Sequence, residues 1–276
     1  MPFLDTLLLS VIVCGIVFAS LGLKWCLSWH QILWRAGLFG VTNGLIAAWA
    51  GLSSANFWWQ TILANAVLLV IEIPASILPF FYRDPERRPP RDGEVIVSAA
   101  DGLVVYVKRI EGGKVPLCEK RGQNMVIDEL AQSGFAQRSG FLIGVAMNFL
   151  DVHVNRAPMD GTVAMLQHIA GQFASLRIPE AVLRNERKTL IIENSRASVA
   201  LVQIASRLVR RIVSYVKAGE SVARGQRIGM IKFGSQVDMI LSDSDFSEIL
   251  VKAGDRVFAG ETPIARFRTK PQRGQP

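Results

Sequence analysis

Hydrophobic and polar positions divide the chain sharply near residue 82. Before that point charge almost vanishes: Thr6 to Leu23 and Ala36 to Ile71 contain no Asp, Glu, Lys or Arg. A membrane-spanning helix takes about 20 mostly apolar residues. The first run fits one span. The second is too long for a single helix and is broken near "GLSSANFWW", residues 51–59. The pattern predicts three helices, roughly 5–24, 33–52 and 57–80. All six tryptophans fall between residues 25 and 59, and Phe80, Phe81 and Tyr82 close the third run. Aromatic belts at the two interfaces produce that placement. Glu72 and Pro74 interrupt the third run, so residues 73–82 are expected to lie along the interface rather than continue a straight helix. A re-entrant hairpin for the Gly-rich middle run and a buried helical core are the alternatives. "MPFLD" lacks the basic start of a signal peptide.

Past residue 82 the apolar period shortens to two. "RRPPRDG" reads as a linker. "EVIVSAADGLVVYVKRI", residues 94–110, reads as two strands around an Asp-Gly turn. A connector covers 111–140, and further strands follow in "GFLIGVAMNFLDVHVNRAPMDGTVAML", "TLIIEN", "SVALVQIAS" and "RIVSYV". A short helix fits 179–187. "IGMIKFGSQVDMIL", residues 228–241, reads as one long strand with Gly234-Ser235 in its middle, where glycine weakens a strand. "VKAGESVARG" (216–225) returns as "VKAGDRVFAG" (251–260), 35 residues on. Such self-similarity marks duplicated units. The phrase is similar to the turn-strand unit of lipoyl- and biotinyl-carrier domains. The expected fold class is therefore a mainly β (α+β) domain, a duplicated hammerhead sandwich, behind N-terminal transmembrane helices. Lys232 lacks the neighbours of a carrier lysine.

Charge adds an orientation. Residues 1–82 hold only Asp5, Lys24, Arg35 and Glu72, which cancel, so the formal +8 belongs to residues 83–276. A basic domain on a membrane anchor points to anionic lipid rather than nucleic acid. Lys24, Arg35 and the basic run 83–91 belong on the cytoplasmic side by the positive-inside rule. Arg83, Arg87, Arg88 and Arg91 are then candidates for headgroup contact, or simple topology signals. Cys14, Cys26 and Cys118 make no disulfide framework and suit a reducing compartment.

Candidate chemistry is sparse. His30 falls in the first connection, and His168 has no acidic neighbour in sequence. His153 shares a strand face with Asp151 and Asn155. Each of these, like the Asp101-Gly102 turn, reads alone as structural. Together, an acid, a histidine and a serine in one small β domain can form an activation triad. Ser235 is not in a G-x-S-x-G elbow, which disfavours an ordinary hydrolase. It follows a glycine, whose carbonyl is the least hindered acyl group, and this suits attack on its own preceding peptide bond.

"FFYRDPERRPP", "SAADG", "NFLDVHVNRAP" and "IGMIKFGSQVD" occur in this order. Over most of residues 78–268 they resemble the phosphatidylserine decarboxylases, in particular the short form of bacteria and archaea. The resemblance implies a proenzyme that cuts itself between Gly234 and Ser235. Residues 1–234 would be the β chain and 235–276 the α chain, with a covalent pyruvoyl group at residue 235 and no metal. Asp101 would hold His153, and His153 would deprotonate Ser235. The substrate amine would then join the pyruvoyl ketone as a Schiff base. Residues 1–82 would anchor a cytoplasmic catalytic domain, 83–276, to the inner membrane. The partners would be phosphatidylserine in an anionic bilayer, the two cleaved chains for each other, and a second such heterodimer. Two positions depart from the pattern: Ala99 where proline is frequent, and Gln236 where arginine or threonine is usual. A non-enzymatic membrane adaptor and an uncut membrane serine hydrolase are the competing readings.

Overall fold

The structure is a computed structural model. It describes residues 2–25, 28–52, 58–118, 123–126, 139–174, 181–205, 211–232 and 235–268. The chain separates into two compact units, residues 1–82 with 148–150, and residues 83–147 with 151–276.

The first unit contains α1 (Pro2–Trp25), α2 (Trp29–Trp49) and α3 (Trp58–Phe81). Helix α2 starts at a capping box, in which Ser28 accepts from the Gln31 amide while the Gln31 side chain accepts from the Ser28 amide. Gly40 and Gly44 let α1 approach closely: a Cβ on them would meet the Cα atoms of Val11 and Leu7 at 2.6 and 2.9 Å. Small residues four apart are a familiar packing face for helices in lipid. The polarity is inverted relative to a soluble bundle. Thr6, Ser10, Asn43, Thr61 and Asn65 are buried, while Leu8, Ile12, Ile16, Leu63, Val70 and Ile71 face outward. Asn65 donates to Ser10 (2.9 Å) and Asn43 to Glu72 (3.0 Å). α1 and α3 are long and apolar enough to cross a membrane. α3 stays helical to Phe81 with Pro74 and Pro79 inside it.

The second unit is almost wholly β. Its elements are β1 (Val95–Val97), β2 (Gly102–Ile110), β3 (Lys114–Cys118), β4 (Gln123–Val126), β5 (Gly140–Met147), β6 (Val154–Arg156), β7 (Gly161–Ile169), α4 (Ala181–Arg184), β8 (Arg187–Glu193), β9 (Ser198–Ala205), β10 (Ile212–Ser214), β11 (Ser221–Val222), β12 (Arg227–Ile231), β13 (Ser235–Ser242), β14 (Phe246–Ile249), β15 (Arg256–Val257) and β16 (Pro263–Phe267). An eight-stranded sheet runs β11-β7-β8-β9-β13-β5-β2-β15. Two three-stranded sheets run β1-β16-β14 and β10-β12-β6, and β3 and β4 form a hairpin. The fold is α+β, as expected. The 94–110 stretch does form two strands, yet they pair elsewhere: β1 with β16, β2 with β5 and β15. The short helix expected over 179–187 occupies only 181–184 of the described residues.

Both faces of the large sheet are covered. On one, Val199, Leu201, Val237, Met239 and Leu241 meet Ile96, Ile228 and Ile264. On the other, Ala200, Val202, Ile204 and Ile240 pack with Ile191 and Val182. Strands buried on both sides lose simple alternation, which is why β9 is apolar at nearly every position.

The duplication is visible strand by strand. β2 and β7 correspond 59 positions apart (102 to 161), β11 and β15 correspond 35 apart (221 to 256), and the large sheet is palindromic about β9–β13. Gly219 and Gly254, at φ +86° and +95°, make the same turn. Their amides donate to Val163 O and Val104 O, both at 2.8 Å. Both β2 and β7 carry a register shift at the same place, after Val104 and after Val163.

Candidate active site

The opening of β13 answers the question that Gly234-Ser235 raises. β12 and β13 are not one strand. β12 lies in a three-stranded sheet, whereas β13 is central in the large one, so the chain changes sheets between Ile231 and Ser235. Gly234 lies outside the described residues, and Ser235 is placed by its main chain. It opens β13 in register with Met147 of β5 and Ala205 of β9.

Two contacts bring the His153 segment to this end of the sheet. Ile231 N donates to His153 O at 3.2 Å, four residues before Ser235. Asn155, two residues beyond His153, accepts from Gln203 at 2.7 Å and reaches Met147 Sδ at 4.0 Å. Asn155 thus bridges the two strands that flank residue 235.

His153 is fully buried, and its Nδ1 lies 2.8 Å from Asp151 O. A carbonyl only accepts, so Nδ1 carries the proton and Nε2 is the basic nitrogen of the ring. Burial holds the imidazole down to about 4, opposed by the Asp151 carbonyl and aided by the Arg83 charge. His153 is therefore neutral at pH 7, as a general base must be.

Asp101 is also buried, and its oxygens are engaged. Oδ2 pairs with Arg87 Nη2 at 2.8 Å, and Oδ1 accepts from Ala259 N at 2.7 Å. Burial raises its pKa; the Ala259 amide, Arg87 and Arg83 work the other way. Arg83 acts electrostatically on both Asp101 and His153. The two segments are also joined by Arg156 N donating to Ala99 O at 2.9 Å. The atom that orients the imidazole is thus a main-chain carbonyl, and the carboxylate of Asp101 faces Arg87.

Residues 83–92, which take in most of the "RRPPRDG" stretch (87–93) expected to be a linker, form a strap across the β unit. Arg156, buried, donates to Asp84 (2.8 Å) and to Pro85 O (2.9 Å). Arg227 pairs with Asp84 and with Glu86, and Arg224 donates to the carbonyls of Pro90, Asp92 and Val95. Arg87 bridges Asp101 and Glu261, at 2.8 and 2.7 Å. Its guanidinium is committed to protein carboxylates instead of lipid headgroups. Gln236 is committed too, buried and bonded to Tyr106 and Asp238.

The remaining histidines lie apart. His30 is exposed on α2. His168 pairs with Glu186 at 3.1 Å on the outside of β7, an acidic partner that sequence proximity does not reveal. Sequence reasoning named Arg87 only as a headgroup candidate and Asn155 only as a face-mate of His153, and missed Gln203; their partners are 14, 8 and 48 residues away.

The family model for "Phosphatidylserine decarboxylase" matches residues 77–265. The chain is 42% identical over 201 residues to a protein of Methanothermobacter thermautotrophicus provisionally named an archaetidylserine decarboxylase proenzyme, covering 72% of this chain and 84% of that one. It is 35% identical over 229 residues to a phosphatidylserine decarboxylase proenzyme of Novosphingobium aromaticivorans, covering 83% and 85%. A phosphatidylserine decarboxylase proenzyme of Cupriavidus pinatubonensis matches at 32% over 240 residues, covering 86% and 96%. A neutral buried imidazole beside the strand that opens at Ser235, in a sequence matched over this length, places the chain in the phosphatidylserine decarboxylase family.

Proposed function

We propose that this chain is a self-processing, pyruvoyl-dependent enzyme that converts phosphatidylserine to phosphatidylethanolamine and CO2 on the cytoplasmic side of the inner membrane. Residues 1–82 are the anchor and 83–276 the catalytic domain, which scission divides into a β chain (1–234) and an α chain (235–276). The observation that carries the reading is the neutral, Nδ1-protonated His153, joined through Ile231 to the segment entering Ser235. The duplicated strands support a carrier-like hammerhead sandwich in which each chain completes the other's core. β13, which belongs to the α chain, is paired on both sides by the β-chain strands β5 and β9.

In the scission, His153 takes the Ser235 hydroxyl proton and Oγ adds to the Gly234 carbonyl carbon. The peptide C–N bond breaks as the ester forms, and the amide nitrogen takes a proton. Removal of the Ser235 α-proton expels Gly234 as a carboxylate and leaves a dehydroalanine. One water then converts that residue to pyruvoyl and ammonia. Asp101 supplies negative charge toward the imidazolium as it forms, and Arg87 with the Ala259 amide opposes the burial that raises its pKa.

The residues present fit the pyruvoyl group. Position 235 opens a strand paired on both sides, so a new terminus there remains in the sheet, beside a neutral base. When present, the group supplies a conjugated ketone, an electron sink for the bond that releases CO2. His153 holds the proton that returns to the substrate carbon. The apolar helices tether the chain to the bilayer, which raises the effective lipid concentration.

A denaturing gel with mass spectrometry of the purified chain tests this. The expected products are a blocked 42-residue α chain, residues 235–276, and the β chain. Ser235→Ala should stay whole and inactive. An uncut chain with ordinary serine that still decarboxylates lipid would overturn the reading.

A further inference from the structure

On the sheet face opposite Val237 and Met239, three polar side chains close a triangle beside residue 235. Asp238, fully buried, accepts from Tyr106 Oη at 2.7 Å and from Gln236 Nε2 at 2.7 Å. Gln236 Nε2 also lies 2.6 Å from Tyr106 Oη. The Tyr106 ring covers Gly144, where a Cβ would come within 2.5 Å of Cζ. Glycine is thus the residue that leaves room for the ring.

The internal duplication supplies a control. Strand register places Met165 where Tyr106 stands, Ile191 for Gly144, Ala200 for Asp238 and Ser198 for Gln236. The first three are apolar and pack together in the other half, while Ser198 donates to Glu193 at 2.8 Å. The architecture therefore closes over hydrocarbon where Tyr106 and Asp238 stand and does not require a buried acid there. A buried carboxylate destabilises a fold that could hold an apolar residue instead. Burial indeed pushes Asp238 up to about 6, against the bonds from Gln236 and Tyr106 and the charge of Lys108. Among the described residues the triangle occurs in one half only, at the opening of β13.

Before scission residue 235 is held covalently from both sides. Afterwards it is a chain terminus, and termini fray unless tied down. We propose that the Tyr106–Gln236–Asp238 triangle is a positioning device that fixes the first residues of β13 after the cut and holds the group formed at residue 235 in the geometry turnover needs. The inference rests on Ser235 being the processed residue. Misplacement of a reacting group by about 1 Å can cost about 100-fold in rate, so a partial loosening should show clearly in turnover.

The test uses the full chain in mixed micelles with phosphatidylserine. It compares wild type, Tyr106→Phe, Asp238→Asn and the double exchange Gln236→Glu with Asp238→Asn. The rate of scission, kcat and KM are measured for each. Each single variant should split within about twofold of the wild-type rate, while kcat falls about 10-fold with KM unchanged. The double exchange rebuilds the triangle with acid and amide interchanged and should recover most of the loss. The proposal is overturned if kcat is unchanged in both single variants, or falls only in step with scission, the mark of a general loss of structure. Failure of the wild-type chain to split would instead refute the role of Ser235.

Discussion

The two halves of the β unit share a backbone and differ in chemistry. Asp101 Oδ1 accepts from Ala259 N at 2.7 Å, and 59 positions on, Asp160 Oδ1 accepts from Arg224 N at 2.9 Å. Both aspartates therefore pin the repeat turn, which is an architectural task. Asp160 is exposed, whereas Asp101 is buried and faces Arg87. The same holds for the strand entering the small sheets. The position matching His153 is Glu94, exposed and paired with Arg196 at 2.6 Å. The fold thus offers two equivalent ends. Burial by the strap and a His where the other end has Glu set one of them apart as the candidate site.

Breaking the buried end should have the largest effect. Asp101→Asn should slow self-cleavage by about 100-fold or more, the range of a general acid–base contribution. Asp160→Asn should stay within about twofold, since it loses only a turn bond. A time course on denaturing gels compares them, and similar losses in both would reduce Asp101 to a turn residue.

Arg87→Gln should rank next. Arg87 opposes the burial that raises Asp101, so without it the carboxyl stays protonated to higher pH. Scission should fall about 10-fold at neutral pH, consistent with one charge-assisted bond lost. It should recover as the pH is raised, with Arg87→Lys less affected. A variant profile parallel to that of wild type would contradict this coupling.

His153 has a stability signature of its own. Its folded pKa of about 4 lies below the ordinary 6.5, so the unfolded chain takes up a proton first on acidification. Stability should be lost as the pH falls from 6.5 toward 4. His153→Gln should flatten that part of the melting-temperature profile. Asp238 acts in the other direction. Its folded pKa is raised to about 6, so its contribution is present at low pH and lost as the pH rises through 6. The melting temperature of Asp238→Asn relative to wild type should therefore be more favourable at pH 8 than at pH 5. Glu261→Gln should matter least, about twofold in scission or below, because its carboxylate is half-exposed and such pairs contribute little.

Much of this was legible in the chain. Apolar run length located the three helices to within a few residues. The V-K-A-G repeat gave the duplication, because each copy must turn at the same glycine. Its second half, "ADGLV" against "MDGTV", was equally readable as two Asp-Gly turns with a valine two residues on. The order of motifs fixed the family and the candidate residues Asp101, His153 and Ser235. What sequence could not supply was sheet membership. Residues 228–241 alternate as one strand because both sheets demand apolar faces, and only the packed structure separates β12 from β13. Nor could it show that Arg87 faces a buried acid, or that Gln236 closes a triangle with Tyr106 from 130 positions away. Periodicity and turn chemistry are local and survive in one dimension. Burial, charge pairing and the surroundings of a reacting atom come from segments distant in sequence, and only the folded chain brings them together.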